Sequence, residues 1–149
     1  MRLRLTQLAG PEASRWLAIT GVWPHEDCLR EIDSADMIVL PSTGLFEAFP
    51  YAVLEAMRAA RAVVATNRGA ITEMLAWNTG EPCGIVVPPS NVGALHAALA
   101  RLFDDLDERR ILGERGRKRV LYHYLAGKIV ARLKEVWFSG AAPEFVTLK

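Results

Sequence analysis

Cysteine is scarce in this chain. Only Cys28 and Cys83 occur, far apart and without the spacing of a metal site. That excludes a disulfide framework and points to reduced thiols in a cytoplasmic compartment. A surplus of charge is also lacking: 18 basic against 17 acidic residues leave a net charge of +1, which gives no electrostatic reason to expect a nucleic acid or acidic partner. No run approaches the roughly 20 apolar residues that cross a bilayer. The opening Met1-Arg2-Leu3-Arg4-Leu5 leads into polar residues, so no secretory signal is expected. There is no internal repeat and no low-complexity segment.

Apolar residues make up 51% of the chain. A chain of roughly 150 residues can bury about 68–70% of its unfolded surface, so residues 1–149 are expected to form a single domain. Arg2–Leu8 and Trp16–Thr20 read as strands. His25-Glu26-Asp27 opens a short helix with acids in its first turn, and Leu29 and Ile32 on its inner face. Met37–Leu40 and Ala62–Thr66 are unbroken apolar runs, the pattern of parallel strands covered on both faces. Between them Pro41–Gly44 turns the chain and Pro50 suits the first turn of a helix carrying Val53, Leu54 and Met57. Ala70–Trp77 is a short helix with Glu73, and Cys83–Val87 a last strand stopped by Pro88-Pro89. Asn91 caps a helix in which Val92, Leu95, Leu99 and Leu102 line one face. The chain is helical again from Asp107. Residues 125–149 form a closing helix, with Ile129, Val130, Leu133 and Trp137 on one face, and a tail. Strands alternating with helices predict a three-layer α/β/α Rossmann-like sandwich with a mainly parallel sheet of about five strands.

Chemistry concentrates around the start of the helix at Pro50. Ligands of open α/β sheets bind beyond the carboxyl ends of the strands, and a helix N-terminus there favours an anion. Glu47, in the loop, would oppose a phosphate and suits something neutral and rich in hydroxyls, such as a sugar. Glu55, inside the helix, can accept hydrogen bonds from a ribose, each worth about 1.5–3 kcal/mol. The plain alternative is an ordinary loop carboxylate at Glu47 and an i,i+3 pair of Glu55 with Arg58.

Glu47-Ala48-Phe49-Pro50 followed by Leu54-Glu55-Ala56-Met57 resembles the E-x7-E signature of retaining glycosyltransferases with the GT-B fold. Ala35-Asp36 through Pro41-Ser42, Val63–Thr66, Gly69 with Glu73, and Gly84–Pro89 are similar to that family's neighbouring segments, in order. The resemblance runs from about Leu17 to about Tyr124 and implies the C-terminal, donor-binding half of the fold. It implies transfer of a sugar from a nucleotide-diphosphate donor with retention, with no metal or other cofactor in the site. Glu47 would be the catalytic group that orients the donor sugar. Amides of Ala48, Phe49, Tyr51 and Ala52 would meet sugar or phosphate, and Glu55 the ribose. Arg68 and Gly69 would lie at the diphosphate and Trp23 near the base, although Trp23 as rim packing and Arg68 as a solvated charge stay open.

The sequence also departs from the family. Ala48 stands where Gly is usual, Ala70 where a second Gly is common, and Ala60-Arg61-Ala62 replaces Gly-x-Pro. The family's first strand with its basic loop, and its N-terminal acceptor domain, have no counterpart. The expectation is therefore a chain inactive by itself, served by an acceptor-domain partner or by self-association through the closing helix. The alternative is a non-catalytic nucleotide- or partner-binding module. No nucleic acid is expected. The basic residues from Arg109 to Arg119 leave peripheral contact with the inner membrane face open beside a plain solvated surface.

Overall fold

The computed structural model describes residues 10, 12–44, 48–76 and 80–139. Arg2–Leu8, Glu47, Trp77 and the tail from Ala141 lie outside the described residues. The chain divides into two compact units, residues 1–30 and 31–149.

In the first unit a 3-10 turn covers Ala13–Arg15. Trp16–Thr20 is not the expected strand. Leu17 and Ile19 are half-buried and Trp16, Ala18 and Thr20 exposed, so the alternation is present, but no neighbouring strand pairs with it among the described residues. Helix α1, His25–Ser34, follows, and its last four residues belong to the second unit.

The second unit is built on three parallel strands, β1 (Met37–Leu40), β2 (Ala62–Thr66) and β3 (Ile85–Val87), in the order β1-β2-β3. Met37 pairs with Ala62, and Val64 with Ile85. These are the strands present among the described residues, where about five were expected. β3 starts two residues later than predicted. Cys83 and Gly84 are buried but serve packing: a Cβ on Gly84 would stand 2.9 Å from the Val63 carbonyl oxygen.

Among the described residues five helices begin in this unit: α2 (Tyr51–Arg58), α3 (Ile71–Ala76), α4 (Val92–Asp104), α5 (Leu106–Arg119) and α6 (Ala126–Ser139). Val92, expected on the inner face of α4, is exposed, because it stands in the first turn beyond the edge of the packed face. A π-helical turn, Val120–Tyr124, joins α5 to α6. Every residue of β2 is buried, because helices cover both faces of the sheet. Val63 and Ala65 pack with Val53, Met57, Ile71, Met74 and Leu75 of α2 and α3. Ala62 and Val64 point the other way, among Ala98, Leu102 and Leu112 of α4 and α5. This is the expected three-layer sandwich, and it explains why the strand sequence is uniformly apolar.

α5 ties the two helical layers together. Leu112 belongs to one cluster, Val120 just after the helix to the other. Between them Gly113 lies against the turn before β2, where a Cβ would meet the Ala60 carbonyl oxygen at 2.1 Å. Ala60 has φ 55°. Its N–H donates to Met57 and that of Arg61 to Ala56, the two bonds of a Schellman ending that normally carries glycine. The alanine at this position therefore strains the foot of the sheet, at the end opposite the strand exits.

Candidate functional site

The carboxyl ends of the three strands form one rim, laced by hydrogen bonds. Thr66 Oγ1 donates to the Ser42 carbonyl at 2.6 Å, fixing the exit of β1 against β2. The Asn67 N–H donates to the Val87 carbonyl at 2.8 Å, fixing β3. The Ala70 N–H donates to the Ala48 carbonyl at 2.9 Å. That last bond joins the loop before α2 to the loop before α3, so Ala48 and the Arg68-Gly69 turn, distant in sequence, come together.

α2 begins at this rim. Its N-cap is Pro50, buried, with extended backbone and, among the described residues, no side chain capping the helix. The Val53 N–H returns to the Pro50 carbonyl at 3.1 Å. Among the described residues no side chain caps the first-turn amides of Tyr51 and Ala52, and the helix dipole puts its positive end there. Tyr51 is exposed and Ala52 half-buried. Glu55 stands on the next turn, half-buried, on the flank of α2 away from Val53 and Met57.

Arg68 is half-buried, and its Nε is enclosed without a hydrogen-bond partner among the described residues. An enclosed guanidinium N–H without an acceptor is costly, and an anion there would supply one. Gly69 next to it takes φ 51°, the left-handed region that glycine enters freely. Phe49 is 41% exposed, and its ring meets Tyr124 with centroids 5.8 Å apart.

Ala48, Phe49, Tyr51, Ala52, Glu55, Arg68 and Gly69 thus belong to α2 and the two loops joined at the rim. Glu47 lies outside the described residues. Trp23 belongs to the N-terminal unit, where it is half-buried. A cavity of about 190 Å³ opens elsewhere on the rim, between Pro41, Thr43, Thr66, Pro88 and Leu95, on the α4 side. It is smaller than the roughly 300–1,000 Å³ of small-molecule sites, and no expected site residue lines it.

Sequence reasoning missed Tyr124. It is half-buried against the α2–α3 cluster, with its hydroxyl enclosed and unpartnered among the described residues. Burial, and then the nearby Glu73 charge, raise its pKa above the ordinary phenol value. The signal available was an aromatic residue four positions after the apolar Val120. The basic end of α5 also proves partly structural. Arg119 donates to the carbonyls of Met74 (3.0 Å) and Glu81 (2.9 Å), and Arg115 pairs with Glu81 at 2.7 Å. Arg117 and Lys118 are exposed. Among the described residues no three His, Cys, Asp or Glu side chains cluster as metal ligands, and no helix is long and apolar enough to cross a membrane.

Comparison with known proteins agrees with this architecture. Residues 14–119 match the family model described as Glycosyl transferases group 1. The chain is 33% identical over 112 residues to the MMP alpha-(1->4)-mannosyltransferase of Mycolicibacterium hassiacum, covering 75% of this chain and 26% of that protein. It is 32% identical over 101 residues to the amylovoran biosynthesis glycosyltransferase AmsK of Erwinia amylovora, covering 65% and 24%. Among solved structures, sucrose-phosphate synthase from Thermosynechococcus elongatus superposes with a TM-score of 0.74 at 26% identity, over 94% of this chain and 35% of that one. The chain spans about a quarter of the length of these curated relatives. The α/β layers and parallel sheet are those of a GT-B glycosyltransferase. The family match covers most of the residues that build this rim, and the chain belongs to the Glycosyl transferases group 1 family.

Proposed function

We propose that this chain binds the nucleotide-diphosphate sugar donor of a retaining glycosyltransferase. The observation that carries the reading is the junction at the rim. The start of α2, without a side-chain cap among the described residues, and the Arg68-Gly69 turn are joined through the Ala70–Ala48 hydrogen bond. Helix-end amides and the enclosed Arg68 N–H meet the diphosphate charge. Glu55 accepts from the ribose hydroxyls, and Glu47 holds the sugar hydroxyls and orients the anomeric carbon for transfer. The charge of the leaving diphosphate is then met by fixed donors rather than by mobile water.

The curated relatives are about four times as long, so donor binding is the part of the reaction proposed for these residues. An acceptor surface comes from elsewhere. Isothermal calorimetry with UDP-, GDP- and ADP-sugars tests the reading on wild type and on Glu55→Ala. Saturable binding of one base class, weakened in the variant, is expected. Equal heats from both proteins would remove Glu55 from the site. Turnover by the isolated chain would show that no further acceptor surface is required.

A further inference from the structure

We propose that Tyr124 is a positioning residue for the donor, acting through Phe49 on the loop that presents the first-turn amides of α2. The inference rests on the donor-binding reading above. It starts from the ties that hold that loop among the described residues. Ala48 is fixed by its carbonyl, which accepts from the Ala70 N–H at 2.9 Å. Pro50 is fixed by burial. Between them Phe49 projects outward, and its ring contact is with Tyr124, at 5.8 Å between centroids and 59° between planes.

Tyr124 is itself anchored. It closes the π-helical turn that begins at Val120, and Val120 is buried in the cluster of α2 and α3. Tyr124 packs against the same cluster. A π turn is a common device for redirecting a side chain at a functional position. Here it brings a residue from the C-terminal part of the chain against the loop leading into α2. The tilted ring pair is a favourable aromatic geometry, and it sets the direction of Phe49 and hence of the peptide planes on either side. Amides held in the bound orientation beforehand cost less to order on binding.

The ring carries this role, not the hydroxyl, which has no partner among the described residues. Donor affinity measured by calorimetry, well below the unfolding midpoint, with UDP-glucose, GDP-mannose and ADP-glucose as probes, tests the assignment. Tyr124→Ala is expected to weaken binding of the accepted donor about tenfold, which is about 1.4 kcal/mol. Tyr124→Phe is expected to stay within about twofold of wild type, a rescue that follows from retaining the ring contact. In a Phe49→Ala background, Tyr124→Ala should have no further effect, because the two act through one contact. Phe49→Leu, at a partly exposed position, carries the same test if Tyr124→Ala does not fold, with a similar weakening expected. Wild-type affinity in Tyr124→Ala or Phe49→Leu overturns the inference while leaving donor binding intact. So does an equal loss in Tyr124→Phe, or a full loss persisting without Phe49. A wild-type chain that binds none of the three probes overturns the donor-binding reading, and this inference with it.

Discussion

The helices that follow β1 and β3 start at the same rim and start differently. α4 is closed by its own chain: Asn91 Oδ1 accepts from the Ala94 N–H at 2.9 Å. α5 is closed in the same way by Asp105, which accepts from the Glu108 N–H at 2.8 Å. α2 begins at Pro50, with no side-chain cap among the described residues. A cap satisfies donors that would otherwise need water or a ligand. The difference separates these two helix starts, closed by their own chain, from the start of α2, which lies beside Arg68 and Gly69 through the Ala48–Ala70 bond.

The largest expected effect comes from breaking the far end of α2, which supports its start. Gly113→Ala places a Cβ 2.1 Å from the Ala60 carbonyl oxygen. Backbone cannot retreat as a side chain tip can, so a loss of about 3 kcal/mol is expected, seen as a lower urea midpoint. An unchanged midpoint would mean that α5 does not bear on this turn. Next, Glu55→Ala should weaken donor binding by roughly 10- to 100-fold, the loss of about 1.5–3 kcal/mol for a charged hydrogen bond. Its urea midpoint should move little, since Glu55 stands on the flank of α2. Asn91→Ala should show the reverse pattern: about 1 kcal/mol of stability lost, with donor affinity as in wild type. If calorimetry found the donor weakened by Asn91→Ala, the division between these helix starts would fail. Smallest is Ala60→Gly, which relieves a left-handed alanine and should add about 0.5–1 kcal/mol without altering affinity.

Much of this was legible in the residues because the fold repeats one rule. Ala62–Thr66 reads as a buried strand because both of its faces are covered. Asn91 reads as a cap and forms one. Trp16–Thr20 misled because a short stretch of strand-forming residues does not report the presence of a partner strand. The glycine replacements were legible as departures, yet their meaning depended on place. Ala48 sits at the rim, whereas Ala60 ends α2 at the opposite end of the sheet, where the cost is in backbone conformation. Arg115 and Arg119 read as a solvated basic face because nothing local indicates that they reach Glu81 and Met74. Tyr124 was illegible as a site residue for the same reason: its partner, Phe49, is far away in sequence.

The complete enclosure of β2 has a practical consequence for measurement. Its amides exchange with deuterium only when the sandwich opens as a whole, while loop amides at the strand exits exchange through small local openings. One exchange experiment on one sample therefore reads two quantities independently: β2 reports whether the sandwich stays intact, and the amides of Ala48, Phe49, Tyr51 and Ala52 report whether a ligand has arrived.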